Sequence, residues 1–265
     1  MDSYNKTSSP FDCLLFADLD DTLYSSKIGI AEALRNNIDD FLVEKCGFSQ
    51  HKAPSLRSEL FKTYGSSLAG LRALGYNIDA DEYHSFVHGR LPYHLIKQEP
   101  QLRNLLRSIP QRKIIFTNSD RNHAIAALKR LGLEDCFEKI ICFETMNPNL
   151  PNSTRPDEFP VLLKPSMDAM KIALRAADVD PRRTLFLDDN SRNVAAGKAL
   201  GLSTVLVGKT VKSPEADYVL EKIHNLAQVV PEIWAAATGD QRINRSKSKS
   251  EMDSILVTAA ATVMA

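Results

Sequence analysis

The chain carries no net charge, with 33 Lys and Arg set against 33 Asp and Glu in 265 residues. No global field therefore draws in nucleic acid or an anionic membrane, and an anionic substrate has to be held by a local arrangement. Cysteine is sparse and unpatterned. Cys13, Cys46, Cys136 and Cys142 show neither CxxC nor metal-ligand spacing, which suits small buried thiols in a reducing compartment. No apolar run reaches the length of a membrane span. No basic segment followed by an apolar run opens the chain, so a signal peptide is not expected. The expectation is a cytoplasmic protein with no membrane and no nucleic-acid partner. What remains, 43% apolar and 25% charged residues, is ordinary globular composition, enough for one sizeable core or two modest ones.

Against that background one stretch stands out, Cys13-Leu14-Leu15-Phe16-Ala17-Asp18-Leu19-Asp20-Asp21-Thr22-Leu23-Tyr24. An apolar run of strand length, about Phe11 to Ala17, ends abruptly in three carboxylates. A strand buried in a parallel sheet reads as a near-continuous apolar run, and ligands bind outside the carboxyl ends of such strands. Asp18 and Asp20 lie two apart and point to one side if the backbone stays extended. Two like charges that close call for a cation, or for a shared proton and an acid of raised pKa.

Between residues 28 and 106 the texture is helical, with no convincing strand. Ile30, Leu34, Ile38, Phe41 and Leu42 recur at helical steps, as do Leu56, Leu60 and Tyr64 before Gly65. Asp79 with Glu82 resembles a capping box. After Pro110 strands and helices alternate: Lys113–Thr117, then a helix to Gly132, Lys139–Phe143, a helix from Pro165, Thr184–Leu187, a helix to Gly201, Ser203–Val207 and a short edge strand at Tyr218–Leu220. This alternation predicts an α/β fold, a Rossmann-like doubly wound parallel sheet, with an all-helical cap inserted after the first strand. The expected division is a frayed 1–10, a core of 11–27 with 107–236, a cap of 28–106 and a disordered tail of 237–265. The basic, serine-rich run Arg242–Ser250 falls in that tail and reads as solvated.

Three strands end in residues able to do chemistry: Asp18 and Asp20, Thr117 and Asn118, Asp188 and Asp189. In a parallel sheet these ends share one edge. Lys164 opens a helix, where backbone amides and the helix dipole favour an anion. Each piece alone has a bland reading as a turn or a solvated surface residue. Together they make a site for a hard cation and an oxyanion, and oxygen-only ligation suits Mg²⁺.

These residues carry a resemblance. Asp18-Leu19-Asp20-Asp21-Thr22 resembles the Asp-x-Asp-x-Thr motif of the haloacid dehalogenase (HAD) superfamily of phosphohydrolases, Thr117-Asn118 its second motif, Lys164 its third and Leu187-Asp188-Asp189 its fourth. More narrowly, Asp20–Tyr24, Tyr64–Leu71 and His88–Tyr93 resemble the pyrimidine 5′-nucleotidase-like branch of plants and fungi, and a plant xanthosine monophosphate phosphatase is similar too. Ala17 stands where many relatives have a large apolar residue, a change that removes no catalytic group.

The resemblance implies a Mg²⁺-dependent phosphatase acting on a nucleoside 5′-monophosphate of the pyrimidine or xanthosine type. Asp18 is the implied nucleophile, forming an aspartyl-phosphate, and Asp20 the acid and base, protonated when substrate binds. The implied metal ligands are Asp18, the carbonyl of Asp20, and Asp189, with Asp188 direct or through water. Thr117, the Asn118 backbone and Lys164 would hold phosphate oxygens, and Thr22 would support Asp20 by a hydrogen bond. Asp20 argues against a carbon–halogen substrate, since haloacid dehalogenases proper lack it. Tyr64, Ser66, Ser67, Arg90 and Tyr93 are candidates to contact ribose or base, although tyrosines at helical spacing also serve as core. His123 reads as structural or solvated, Arg155 as surface, and Asp21 as structural. The alternatives are a phosphatase or phosphomutase for another small metabolite, and an inactive domain used as a binding module.

Overall fold

The strands form where apolar residues run without a polar break, because both faces of the sheet are covered. The computed structural model describes residues 9–16, 18–150 and 160–235. Ala17, Arg155, the first eight residues and the expected tail 237–265 lie outside the described residues. Six parallel strands, β1 (Cys13–Phe16), β2 (Arg112–Phe116), β3 (Lys139–Ile141), β4 (Thr184–Asp188), β5 (Ser203–Val207) and β6 (Tyr218–Leu220), lie in the order β3-β2-β1-β4-β5-β6. The chain builds outward from β1 in one direction, returns, and builds in the other. β1 and β4 are therefore neighbours at the point where the winding reverses, which opens a crevice beyond their carboxyl ends. Phe16 pairs with Leu187 there, so Asp18 and Asp188 emerge nearly level.

Side chains alternate between the two faces. Leu14, Ile115, Leu185, Leu187 and Val205 enter one apolar cluster. Cys13, Leu15, Ile114, Phe116 and Phe186 enter the other. The first face is covered by α5 (Pro100–Ser108) through Leu102 and Leu106, and by α6 (Arg121–Leu131) through Ala124, Ala127, Leu128 and Leu131. The second is covered by α8 (Met167–Ala177) through Ala169, Met170 and Ala173, while α9 (Ser191–Ala199) sets Gly197 so close to Phe186 that an added Cβ would lie 2.9 Å from its ring. No helix among the described residues is long and apolar enough to cross a membrane.

Between β1 and β2, and ahead of α5, lie α1 (Ile30–Glu44), α2 (Ala53–Tyr64), α3 (Ser67–Ala73) and α4 (Ala80–Gly89). Their centre is Phe41, which meets Tyr83 and Phe86 edge-on at 4.9 and 5.3 Å. This geometry adds about 0.5–1.5 kcal/mol per pair beyond the area buried. α5 starts inside the stretch 28–106 but packs on the sheet, because Leu102 and Leu106 share one cluster with Leu14 and Ile115.

Several local expectations need correction. β3 stops at Ile141 rather than Phe143, because Cys142 caps the short helix α7 (Phe143–Met146) together with Thr145. Asp79 does accept from the Glu82 N–H at 2.8 Å, but the Glu82 carboxylate reaches Lys45 at 2.8 Å, so the box is only half closed. The helix after Pro165 begins at Met167, which leaves Lys164 in the turn before it. The segment after Asp18 does not stay extended. Leu23 N–H bonds back to Leu19 C=O at 3.1 Å, and Asp21 takes a left-handed φ of 60°, a conformation Asp tolerates better than most residues.

Candidate active site

Asp188 is the fixed point of the site. It ends β4, its side chain has no exposed surface, and it accepts from Lys164 Nζ at 3.0 Å, Asn193 Nδ2 at 3.0 and 3.1 Å, and Asn190 N–H at 2.8 Å. Lys164 is equally enclosed. Its ammonium also donates to the Phe116 carbonyl at 3.1 Å and lies 4.0 Å from Asp18 Oδ2. Burial works against the Lys164 charge, but Asp18 and Asp188 outweigh it and raise the proton affinity, so the residue stays a cation. Asn118 holds this lysine in place from β2. Its side chain donates to the Lys164 carbonyl at 3.1 Å and accepts from the Lys164 N–H at 2.8 Å.

Carboxylate oxygens of Asp18, Asp188 and Asp189 come within 4.8 Å of one another. Burial, followed by the charges of Asp188, Asp20 and Asp189, pushes Asp18 well above the ordinary carboxylate range despite Lys164. Burial and the nearby Asp188 and Asp21 charges raise Asp189 to about 6. Oxygen-only donors crowded against their own repulsion fit a hard divalent cation, which would remove the cost of ionising them.

Asp20 lies in a different environment. Its Oδ1 accepts from the Tyr24 hydroxyl, and His123 Nε2 lies 2.9 and 3.1 Å from its two oxygens. Ser119 Oγ donates to Oδ2 at 3.3 Å. Burial alone would raise Asp20, but the His123 charge and hydrogen bond, then the Tyr24 hydroxyl, bring it well below the usual range. These partners favour the carboxylate form of Asp20 in the substrate-free site, whereas the acid form expected from sequence belongs to the site with substrate bound. A phosphate dianion entering beside it opposes that charge and raises its proton affinity. Thr22 gives Asp20 no hydrogen bond. Its hydroxyl is buried and has no partner among the described residues, because the turn through Asp21 carries it into the interior. His123, expected to be structural or solvated, is the residue that sequence reading missed. Its only signal was a place three residues past the N-cap Asp120 of α6, on the sheet edge that carries Asn118.

A cavity of about 460 Å³ opens beyond these strand ends, within the range of small-molecule sites. Asp18, Asp20, Asp21, Asn118, Ser119, Lys164 and Asp189 form its floor. Ile30, Leu34, Ile38, Phe61, Leu68 and Val87 make an apolar wall, and Arg35, Arg57 and Arg192 stand at its side. Of the five candidates for ribose or base, the structure brings Ser66 and Ser67 to this cavity. Ser66 also caps α3 by accepting from the Ala69 N–H at 3.0 Å. Tyr64, Arg90 and Tyr93 are not among its lining. Arg90 lies over the Phe86 ring at 3.6 Å and beside Glu44, and the Tyr93 hydroxyl is 2.9 Å from His123 Nδ1. Tyr64 is an exposed side chain at the end of α2, and Arg90 and Tyr93 are engaged by contacts that their spacing along the chain does not reveal. Thr117 is fully buried one step behind Asn118, its Oγ1 accepting from the Ser119 N–H at 3.1 Å.

A family model described as haloacid dehalogenase-like hydrolase matches residues 14–201, which span β1 through α9 and hold every carboxylate of the site. The chain belongs to the haloacid dehalogenase-like hydrolases. Among its relatives, Phosphate metabolism protein 8 of Saccharomyces cerevisiae is 27% identical over 224 residues, covering 81% of this chain and 67% of that protein. Among solved structures, CbbY from Rhodobacter sphaeroides in complex with phosphate matches with a TM-score of 0.56 and 19% identity, over 82% of this chain and 96% of that one. YfnB from Bacillus subtilis, bound to magnesium, gives 0.52 and 18%, over 82% and 97%. At these identities the two structures establish the fold alone. For this hydrolase, that fold is the one whose winding reverses between β1 and β4, where Asp18 and Asp188 meet.

Proposed function

We propose that this hydrolase is a Mg²⁺-dependent phosphatase that releases the 5′-phosphate of nucleoside monophosphates. The observation that carries the reading is the position of Asp18 4.0 Å from a buried Lys164 and within 4.8 Å of Asp188 and Asp189, on the floor of a cavity with an apolar wall. Asp18 attacks phosphorus and forms an aspartyl-phosphate, dividing the hydrolysis into two easier displacements. Asp20 gives the departing 5′-oxygen a proton and then takes one from the attacking water, a service worth about 10²–10⁴-fold. Lys164 offsets the charge of phosphate oxygens arriving beside Asp18, and the Asn118 backbone N–H would hold another. Asp18, Asp188 and Asp189, with the Asp20 carbonyl, would hold Mg²⁺, which when bound lowers the repulsion between phosphate and nucleophile. The apolar wall and the serines at the start of α3 suit a flat base and a ribose. The resemblance of Tyr64–Leu71 and His88–Tyr93 to the pyrimidine 5′-nucleotidase-like branch supports that choice over other metabolites.

The test is a panel of CMP, UMP, GMP and XMP beside sugar phosphates, with Mg²⁺ and with chelator. Release of inorganic phosphate and nucleoside that stops with chelator is expected. A flat profile across sugar phosphates and nucleotides contradicts the nucleotidase reading, and return of the phosphoryl group to an acceptor indicates a mutase.

The carboxylate cluster also sets a pH dependence. Asp189 rises from 3.8 to about 6 in the folded chain, so the fold binds the extra proton between those values and loses that stabilisation as pH rises through about 6. Mg²⁺ needs the ionised groups and is displaced by protons. The rise in Tm on adding Mg²⁺ is therefore expected to be larger at about pH 7.5 than at about pH 5. In Asp189→Asn the Mg²⁺ increment is expected to shrink sharply at the higher pH. Equal increments at the two pH values in the unaltered chain contradict the assignment of the site.

A further inference from the structure

Asp20 is anchored by a residue that none of the four sequence motifs contains. His123 is 2% exposed, and its Nε2 faces both Asp20 oxygens at 2.9 and 3.1 Å. Its other ring nitrogen lies 2.9 Å from the hydroxyl of Tyr93, in the turn Tyr93–Leu95 that follows α4. Facing a carboxylate, Nε2 carries a proton and donates to it. Burial works against a charged ring, but the Asp20 charge outweighs it and raises the proton affinity. Nδ1 pairs with the Tyr93 hydroxyl, accepting from it when the ring is neutral and donating to its oxygen when the ring is charged. The residue is held from two further directions. His88 of α4 packs against it at 4.7 Å between centroids, with its own Nδ1 paired to Asp120, and Asp120 accepts from the His123 N–H at 3.3 Å.

A buried histidine with both nitrogens satisfied is often only a core residue. The partner here is the carboxylate that must aim a proton at the leaving oxygen, and a carboxylate can turn about its last bond. We propose that His123 is a positioning residue for the reaction. Its Nε2–H sets the plane and aim of Asp20, while Tyr93 sets the orientation of the imidazole and so links the aim of the acid to the segment inserted between β1 and β2. This rests on the reading of Asp20 as acid and base given under Proposed function.

The two roles separate by leaving group. p-Nitrophenolate departs from phosphorus without a proton, whereas an alkoxide such as the 5′-oxygen of a nucleotide does not. The full chain, with Mg²⁺, is assayed on p-nitrophenyl phosphate and on the best nucleoside monophosphate of the panel, for His123→Ala, His123→Gln, His123→Asn, Tyr93→Phe and Asp20→Asn. Expected for His123→Ala is a loss in kcat/KM, which ends at departure of the leaving group and so excludes the aspartyl-phosphate hydrolysis common to both substrates, of about 10²-fold on the nucleotide and less than about threefold on p-nitrophenyl phosphate. His123→Gln, whose amide nitrogen reaches the place of Nε2, is expected to recover most of the loss. His123→Asn, which falls short of it, is not, and Tyr93→Phe lies between.

Equal losses in kcat/KM on the two substrates, or no loss on either, overturn the proposal. If His123→Ala does not fold, identical substrate profiles for His123→Gln and His123→Asn overturn it, and recovery by Gln alone supports it. Asp20→Asn tells this failure from that of the underlying mechanism. If Asp20→Asn itself shows no selective loss on the nucleotide, the acid assignment falls and the role of His123 falls with it. If Asp20→Asn is selective and His123→Ala is not, only the role of His123 is lost.

Discussion

Replacement of Asp18 by Asn is expected to abolish steady-state turnover, by at least about 10⁴-fold in kcat, while leaving a folded and more heat-resistant protein. Asn preserves the volume and shape of the side chain but not the lone pair and charge that attack phosphorus. The gain in stability has a separate cause. Asp18 is raised well above the ordinary range first by burial and then by the charges of Asp188, Asp20 and Asp189. A carboxyl whose folded-state pKa exceeds its unfolded value destabilises the fold whenever it is ionised, so at neutral pH a neutral amide relieves the crowding. The measurements are rapid-quench phosphate release and a thermal melt without divalent cation. Phosphate release at a rate near that of the unaltered chain would remove Asp18 from the role of nucleophile. A fall in Tm would show that its charge is compensated in the fold.

The second large effect is expected at Lys164, where activity and stability fall together. Lys164→Met keeps the length of the side chain and removes the ammonium that pairs at 3.0 Å with Asp188, neither side chain having any exposed surface. Breaking one partner of such a pair leaves a buried charge without compensation and costs about 3–5 kcal/mol. For a chain of this size that corresponds to a fall in Tm of roughly 6–20 °C. Adding Asp188→Asn removes the stranded charge. The double variant is therefore expected to recover much of the stability and none of the activity, since the phosphate oxygens still lack their cation. A single variant that melts with the unaltered chain would show that Asn193 and the Asn190 N–H hold Asp188 without help. Urea unfolding of Lys164→Met, Asp188→Asn, the double variant and the unaltered chain, with kcat measured alongside, gives the coupling between the two residues.

The sheet was legible in the sequence because it is buried on both faces. A strand such as Thr184–Asp188 has no solvent face to encode, so apolar residues follow one another until the carboxyl end meets the crevice. Side chains at those ends are polar because they line the site. For that reason Asp18, Asn118, Lys164, Asp188 and Asp189 could be named before any coordinates, and the structure brings them together. The boundaries were less legible. Cys142 as a helix cap and Asp21 in a left-handed turn are decided by local hydrogen bonds that leave no periodic trace.

The partners of Asp20 could not be read at all. His123 lies 103 residues away, Ser119 lies 99, and Tyr93 reaches His123 across 30 more. No spacing rule links positions on a strand end, a helix and an inserted turn. The same holds for Arg90, whose sequence context resembled that of cavity residues although it lies over the Phe86 ring. The sequence by itself determined the class of fold and which side chains meet at the carboxyl edge, since both follow from apolar runs and their order along the chain. Only the tertiary structure decided which of two neighbouring aspartates faces the lysine and which faces the histidine. Asp18 is 4.0 Å from Lys164, while Asp20 is 2.9 Å from His123. That division rests on how the inserted helices and α6 pack against the strand ends, a matter of three-dimensional contact that no single stretch of sequence contains.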